Sequence, residues 1–353
     1  MIVLLNPRRN SYIGARHEGH ADIGMNNKHD DQRPIQCCAE CGEEGGVSLK
    51  VCKPCMLVRY CNARCQKNHW PTHKKHCKLR AAELRDEALF KDPPAKEDCP
   101  ICFLPMPVRL IASISLPPAT ISSVPIDDYA EANERLVGMY TEEYFVCCRK
   151  SICKGCKHSF QCSGNDDKCP FCNSDRATSK TFEELVGEVM KRVEANDAAS
   201  IYLLADSYYN GLNGFHQDQT KAIELFTKSA ELGYSKVHWN LGDIYRKGGY
   251  LKKAKFHWEA AAMAGHEVAR SNIGSIEGNS GNTERAMKHW TIGASAGSYM
   301  AMKNLIIAFK QGLVSRYTMD STLTAYNNSC AEMRSEARDK YISFVSTNVE
   351  NMV

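Results

Sequence analysis

Apolar residues recur at helical spacing through the second half of the chain. Between Thr181 and Asn196, Phe182, Leu185, Val186, Val189, Met190 and Val193 share one helical face, and Thr181 with Glu184 supplies a capping-box start, so a helix is predicted. A shorter helix is predicted from Arg80 to Lys91 by its Ala, Glu, Leu and Arg content, with Asp92, Pro93 and Pro94 ending it. Residues 1–36 are rich in Arg, His, Asn, Asp and Gly and show neither a helical nor an alternating apolar period, which predicts a disordered leader. One capping helix is expected from Asp320 to Phe344, carrying Cys330.

Superimposed on this pattern is an internal repeat. Gly233, Gly265 and Gly297 are spaced 32 residues apart, as are Ala222, Ala254 and Ala286, the aromatics Phe226, Trp258 and Trp290, and the small residues Ala230, Ala262 and Ala294. An upstream pair, Leu204-Ala205, recurs as Leu241-Gly242 and Ile273-Gly274, with five extra residues in the first copy around Gly211 to Phe215. Each unit reads as a helical hairpin: small residues let helices approach, an aromatic fills the space between neighbouring hairpins, and a glycine ends the second helix in a left-handed turn. No hairpin of this size buries its apolar face alone, so the units are expected to stack. The pieces Lys221-Ala222, Ser229-Ala230-Glu231-Leu232-Gly233, Leu241-Gly242-Asp243-Ile244-Tyr245 and Ala260-Ala261-Ala262-Met263-Ala264-Gly265 resemble Sel-one-like repeats, relatives of the tetratricopeptide repeat, from about Ala198 through Phe309. In the third copy Glu277 takes the Tyr position. The resemblance implies a protein-binding scaffold.

Composition changes the picture in the first half. Fifteen of the eighteen cysteines fit two successive metal-ligand frameworks, Cys38 to Cys77 and Cys99 to Cys172. A disulfide scaffold is disfavoured, because Met1 to Leu5 is too short for a secretory signal and runs into Arg8 and Arg9. No apolar stretch is long enough to cross a bilayer, so a cytoplasmic or nuclear protein with no membrane partner is expected. The formal net charge is +4, but fifteen thiolates against four doubly charged zinc ions subtract seven charges and leave −3. Bulk charge therefore disfavours a nucleic-acid partner.

The first framework is Cys38-x-x-Cys41, Cys52-x-x-Cys55, Cys61-x-x-x-Cys65 and His73-x-x-x-Cys77, eight ligands for two zinc ions. About forty residues cannot build an apolar core that offsets chain entropy, so metal is expected to supply the core. The string from Tyr60 to Cys77 resembles a MYND-type zinc finger. That resemblance implies interleaved sites, Cys38, Cys41, Cys61 and Cys65 on one zinc and Cys52, Cys55, His73 and Cys77 on the other, leaving out Cys37, His69 and His76. It further implies a groove beside Gln66 and Trp70 for proline-rich peptides, where an exposed indole suits stacking on proline rings; packing over the zinc ligands is the other role open to Trp70. Between Lys50 and Arg80 there are nine Lys or Arg and no acid, a local basic face.

The second framework, Cys99-Pro100-Ile101-Cys102, Cys153-Lys154-Gly155-Cys156 and Cys169-Pro170-Phe171-Cys172, resembles a cross-braced RING finger. Cys99, Cys102, Cys153 and Cys156 are then expected on one zinc, and Cys169 with Cys172 on the other. Where that family carries a ligand histidine this chain has Lys150, so Cys148 and Cys147 are the expected substitutes, with His158 and Cys162 as alternatives for the fourth ligand. Forty-four residues separate Cys102 from Cys147, including an apolar segment from Val108 to Ile114 and a predicted helix near Tyr129 to Leu136. By resemblance, Ile101, Pro170 and Phe171 dock a ubiquitin-conjugating enzyme, and catalysis is orientation of its thioester with no catalytic residue of the module's own. Active members often place Arg after the last cysteine, and Asn173 stands here without the guanidinium fork.

The expected architecture is an α-rich multidomain chain: two small cross-braced zinc modules followed by an α-helical repeat solenoid. Its segments are a leader at 1–36, a MYND-type finger at 37–78, a helical linker at 79–98, a RING-like finger at 99–173, repeats at 181–316, and a capping helix and tail at 317–353. The expected function is a four-zinc interaction scaffold acting as a RING-type ubiquitin-protein ligase, the repeats and first finger selecting protein ligands. A non-enzymatic adaptor is the alternative.

Overall fold

The computed structural model describes residues 37–43, 48–106, 142–165, 168–174 and 181–350. The leader, the apolar segment Val108 to Ile114 and the helix expected near Tyr129 to Leu136 lie outside the described residues. The chain divides into two compact units, residues 1–88 and 89–353.

The first unit holds a two-residue antiparallel pair, β1 (Lys50–Val51) and β2 (Arg59–Tyr60), and the long helix α1 (Ala63–Phe90), whose last two residues belong to the second unit. The helix expected only from Arg80 thus begins 17 residues earlier, inside the finger. Its buried face there is made of Cys65, His73 and Cys77, metal-ligand types that apolar periodicity does not register. Asn62 starts the helix by accepting the Cys65 N–H at 2.9 Å. It ends before Pro93 and Pro94, as the sequence predicts.

The second unit is built on helices. An antiparallel hairpin, β3 (Glu142–Phe145) and β4 (Lys150–Cys153), leads directly into α2 (Lys154–Cys162). Then come α3 (Phe182–Glu194) and α4 (Ala198–Asn210), followed by α5 (Gln219–Glu231), α6 (Val237–Lys247), α7 (Leu251–Met263), α8 (Glu267–Asn279), α9 (Thr283–Ser295) and α10 (Tyr299–Lys310). Two further helices, α11 (Arg316–Glu332) and α12 (Glu336–Glu350), close the chain. The architecture is mostly helical, with cysteine-rich modules ahead of a helical-repeat region. Thr181 and Glu184 form the expected capping box at the start of α3, each side chain bonded to the other's backbone N–H.

Hairpins α4/α5, α6/α7 and α8/α9 carry the 32-residue repeat. Gly233, Gly265 and Gly297 adopt φ of +91°, +91° and +93°, the left-handed turn that only glycine enters freely. The aromatics pack toward the next hairpin as expected, Phe226 with Val237 and Leu241 of α6 and Trp258 with Ala269 and Ile273 of α8, and the tryptophans also pack inside their own hairpins. Trp258 on α7 lies directly against Gly242 on α6, and Trp290 on α9 against Gly274 on α8, so each indole fills the interior of its own hairpin. A Cβ at Gly274 would lie 2.5 Å from Trp290 Nε1, and one at Gly242 would clash with Trp258 Cδ1. Glu277, the departure from the repeat, is buried and accepts from Lys255 at 2.6 Å, Asn282 at 2.7 Å and Arg285 at 3.2 Å. Burial raises its pKa, but these donors outweigh that and hold the carboxyl at about 2.

The C-terminal helix expected as one element is two. Ser335 breaks it, its Oγ accepting the Arg338 N–H at 3.3 Å. Met319, Leu323, Tyr326 and Cys330 of α11 close the repeat core against Ala294, Met302 and Leu305. Helix α12 packs instead on α2 of the second cysteine module.

Gly242→Ala is expected to destabilise the protein by about 1–3 kcal/mol through overpacking against Trp258. Gly187→Ala on α3, where a Cβ meets nothing within 4 Å, is expected to stabilise by about 0.5–1 kcal/mol. Denaturant midpoints of the two variants should move in opposite directions.

Candidate metal centres

Four turns of one design position the ligands. In Cys38-x-x-Cys41-Gly42, Cys52-x-x-Cys55-Met56, Cys99-x-x-Cys102-Phe103 and Cys169-x-x-Cys172-Asn173, the residue after the second cysteine has positive φ: 72°, 58°, 55° and 57°. Its N–H donates to the first cysteine's carbonyl at 2.9, 2.9, 2.8 and 3.0 Å. The curl brings both sulfurs to one side. Gly and Asn suit this backbone region, whereas Met56 and Phe103 occupy it at a cost. Both are well exposed, Phe103 at 77%.

Sixteen ligand atoms gather into four clusters: Cys38, Cys41, Cys61 and Cys65; Cys52, Cys55, His73 and Cys77; Cys99, Cys102, Cys153 and Cys156; Cys147, Cys148, Cys169 and Cys172. Within each, the ligand atoms lie within 4.8 Å of one another. A tetrahedral zinc with Zn–S of about 2.3 Å requires sulfurs about 3.8 Å apart. The Cys52–Cys77, Cys148–Cys169 and Cys102–Cys153 pairs stand at 3.7, 3.8 and 3.9 Å, and Cys61 lies 3.5 Å from Cys65 and 3.6 Å from Cys41. His73 Nε2 faces Cys55 Sγ at 3.3 Å. The donor sets therefore fit zinc in size and chemistry.

Electrostatics points the same way. The Cys41 N–H draws the Cys38 thiol down to about 6, while the Cys65 thiol foremost pushes Cys61 up to about 12. In the third cluster Cys153 draws Cys99 down and pushes Cys156 up. Thiolates this close repel, so all ionise together only around a cation. Burial, then His69 and His76, lower the His73 pKa, favouring the neutral imidazole that ligates metal.

Cys147 and Cys148 both join the fourth cluster, on the turn where Arg149 takes φ of 55°. His158 and Cys162 lie elsewhere, one helical turn apart on α2 and 3.7 Å from each other, with His158 against Tyr341 and Phe344. Lys150 holds its ammonium 4.8 Å from the Phe171 ring centre. Among the described residues Cys37 and Cys330 belong to no cluster, and His69 bonds the Tyr60 hydroxyl at 2.9 Å. Gln66 and Trp70 are exposed one turn apart on α1, the indole edge-on to His73. Ile101 is exposed, while Pro170 and Phe171 are half-buried, Phe171 edge-on to Phe145. Residues absent from the sequence reading stand beside the candidate metal sites: Ser174, whose hydroxyl lies 3.1 Å from Cys172 Sγ, Phe103, next to a ligand, and Arg338, 182 positions after the last cysteine of its cluster and betrayed by no local signal.

The second module is packed into its unit on several sides. Tyr144 donates to Asp197 at 2.9 Å, Lys236 pairs with Glu142 at 2.6 Å, and Arg192 donates to the Cys147 carbonyl at 3.0 Å.

Residues 38–77 match the MYND finger family, and residues 198–234 and 235–266 match the Sel1 repeat. Over 34 residues the chain is 47% identical to histone-lysine N-methyltransferase SMYD3 of Homo sapiens, covering 10% of this chain and 8% of that protein. Over 60 residues it is 35% identical to the SET domain and MYND-type zinc finger protein 6 of Schizosaccharomyces pombe, covering 17% and 12%. The chain thus spans only about a tenth of the length of these curated relatives. Among solved structures, it is similar to a protective antigen of uropathogenic Escherichia coli, at 23% identity over 48% of this chain and 41% of that one, with a TM-score of 0.35. A Sel1 repeat protein from Oxalobacter formigenes aligns at 22% identity over 44% and 66%, with a TM-score of 0.38. No helix among the described residues is long and apolar enough to cross a membrane. The chain carries a MYND finger, for which zinc is the implied metal, Sel1 repeats, and two further four-cysteine clusters.

Elemental analysis of the purified protein is expected to return four zinc ions per chain; two would mean that one module holds none. A strong chelator should unfold the cysteine modules, because structural zinc contributes roughly 10–16 kcal/mol of apparent binding energy to small domains. Circular dichroism should retain most of the repeat helix signal.

Proposed function

We propose that this chain is a zinc-dependent protein-interaction scaffold whose second module acts as a RING-type ubiquitin-protein ligase. The observation that carries the reading is the set of four four-ligand clusters beside exposed contact residues: Trp70 with Gln66 on the finger, and Ile101 with Phe103 on the second module. A proline-rich peptide is the ligand proposed for the first surface and a ubiquitin-conjugating enzyme for the second. The repeats supply a protein-binding surface that selects what is modified. In this scheme the contribution of the second module is to hold a reactive thioester in position.

A non-enzymatic adaptor is the second reading, and Asn173 favours it. This residue has φ of 57°, which asparagine tolerates well, but its amide lacks the charged fork that clamps ubiquitin in the resembled family. Pro170 and Phe171 are half-buried, which leaves Ile101 and Phe103 as the main apolar contacts.

Trp70→Ala is expected to abolish capture of proline-rich peptides while zinc content stays unchanged; retained capture would assign the indole to packing. In a transfer assay with a panel of conjugating enzymes, Ile101→Ala should remove ubiquitin transfer through loss of an apolar contact worth about 1.5–3 kcal/mol. Asn173→Arg should raise transfer despite a backbone cost of about 1–2 kcal/mol. No transfer from either wild type or Asn173→Arg would assign the chain to the adaptor class.

A further inference from the structure

Arg338, on the first turn of α12, is 5% exposed. Its Nε donates to Cys153 Sγ at 3.4 Å and its Nη2 to Cys102 Sγ at 3.5 Å, so two sulfurs of one cluster share a single guanidinium. The remaining donors go to backbone carbonyls at the same place: Nη2 to Leu104 at 3.2 Å, and Nη1 to Pro105 at 2.9 Å and Met333 at 2.8 Å. No carboxylate among the described residues pairs with it. In a zinc-loaded site its counter-charge would be the thiolate pair itself. A zinc ion with four thiolates carries a net charge of −2, which a guanidinium complements, whereas four neutral thiols leave it buried and unpaired.

The backbone is shaped for the same contact. A Cβ at Gly155, on the first turn of α2, would fall 2.7 Å from both Arg338 Cα and Arg338 N, so only glycine admits α12 this closely. Further along, His158 of α2 meets the rings of Tyr341 at 5.7 Å and Phe344 at 4.8 Å, which continues the contact along α12.

We propose that the C-terminal helix is a zinc-dependent latch: Arg338 is an outer-sphere positioning residue of the Cys99, Cys102, Cys153 and Cys156 site, and metal in that site holds α12 on the module. The proposal rests on the reading that this cluster binds zinc. Because the coupling is reciprocal, seating α12 tightens zinc and losing zinc releases α12. Release frees α2 and uncovers the side of α12 that carries Arg338, Tyr341 and the buried Val345.

The test titrates the full-length, zinc-loaded chain with a chromophoric chelator and follows amide hydrogen exchange across residues 336–350. In Arg338→Ala, one zinc of the four is expected to weaken about 10- to 100-fold, the usual effect of losing an outer-shell partner, while three remain as in wild type. Arg338→Lys, which keeps the charge without the fork, should fall between the two. Gly155→Ala should weaken the same single zinc without altering the guanidinium or a ligand, and it serves as the second variant if Arg338→Ala folds poorly. Removing that zinc from wild type should speed exchange in α12 while α4 to α10 keep their protection. Unchanged affinity for all four zinc ions in both Arg338→Ala and Gly155→Ala overturns the latch, as does an α12 that stays protected after zinc removal. Fewer than four zinc ions in wild type, with this cluster empty, overturns instead the zinc reading on which the latch rests.

Discussion

Four groups of ligand atoms, each drawn to within 4.8 Å, are the constraint on which the cysteine modules depend. As neutral thiols such groups pack as small weak donors, and as thiolates without a cation they repel. A bound zinc would turn the same arrangement into the core of a module that has few apolar residues of its own. Buried Cys38, Cys52, Cys55, Cys65 and Cys77 surround Tyr60 in the first unit, and Cys99, Cys153, Cys156 and Cys169 surround Phe145 and Ile152 in the second. The turns that aim the sulfurs accept left-handed backbone at Met56 and Phe103, and both side chains are left in solvent by the same curl. Strain and exposure thus coincide beside the ligand clusters.

The repeats solve the opposite problem with the opposite means. Their helices have apolar residues in plenty, and the need is room. Glycine at 242 and 274 gives each tryptophan its place, so the size of one residue decides whether a hairpin closes. Glu277 shows that a departure from the repeat need not weaken it: a buried carboxylate with three donors from α7, from α9 and from the residue before α9 ties neighbouring hairpins together. Within the second unit these helices also hold the second cysteine module, through Asp197, Lys236 and Arg192. That module therefore shares its stability with the solenoid that it precedes in the chain.

Much of this was legible in the residues themselves. Ligand spacing is a local property, and the interleaved first module, the Cys99–Cys102 and Cys153–Cys156 pairs, the capping box at Thr181 and the 32-residue period all follow from short-range chemistry. The full length of α1 was hidden because its inner face is made of cysteine and histidine, and the break at Ser335 because a single serine cap is a weak signal within a helical pattern. The choice among Cys147, His158 and Cys162 was open in sequence because all three lie within reach of one metal along the chain. Packing separates them: α2 carries His158 toward α12, and the turn after β3 groups Cys147 and Cys148 with Cys169 and Cys172. Only the tertiary structure places Arg338 beside Cys102 and Cys153, since no periodicity or spacing links a guanidinium to sulfurs more than 180 residues away, and electrostatic partners are chosen by distance in space.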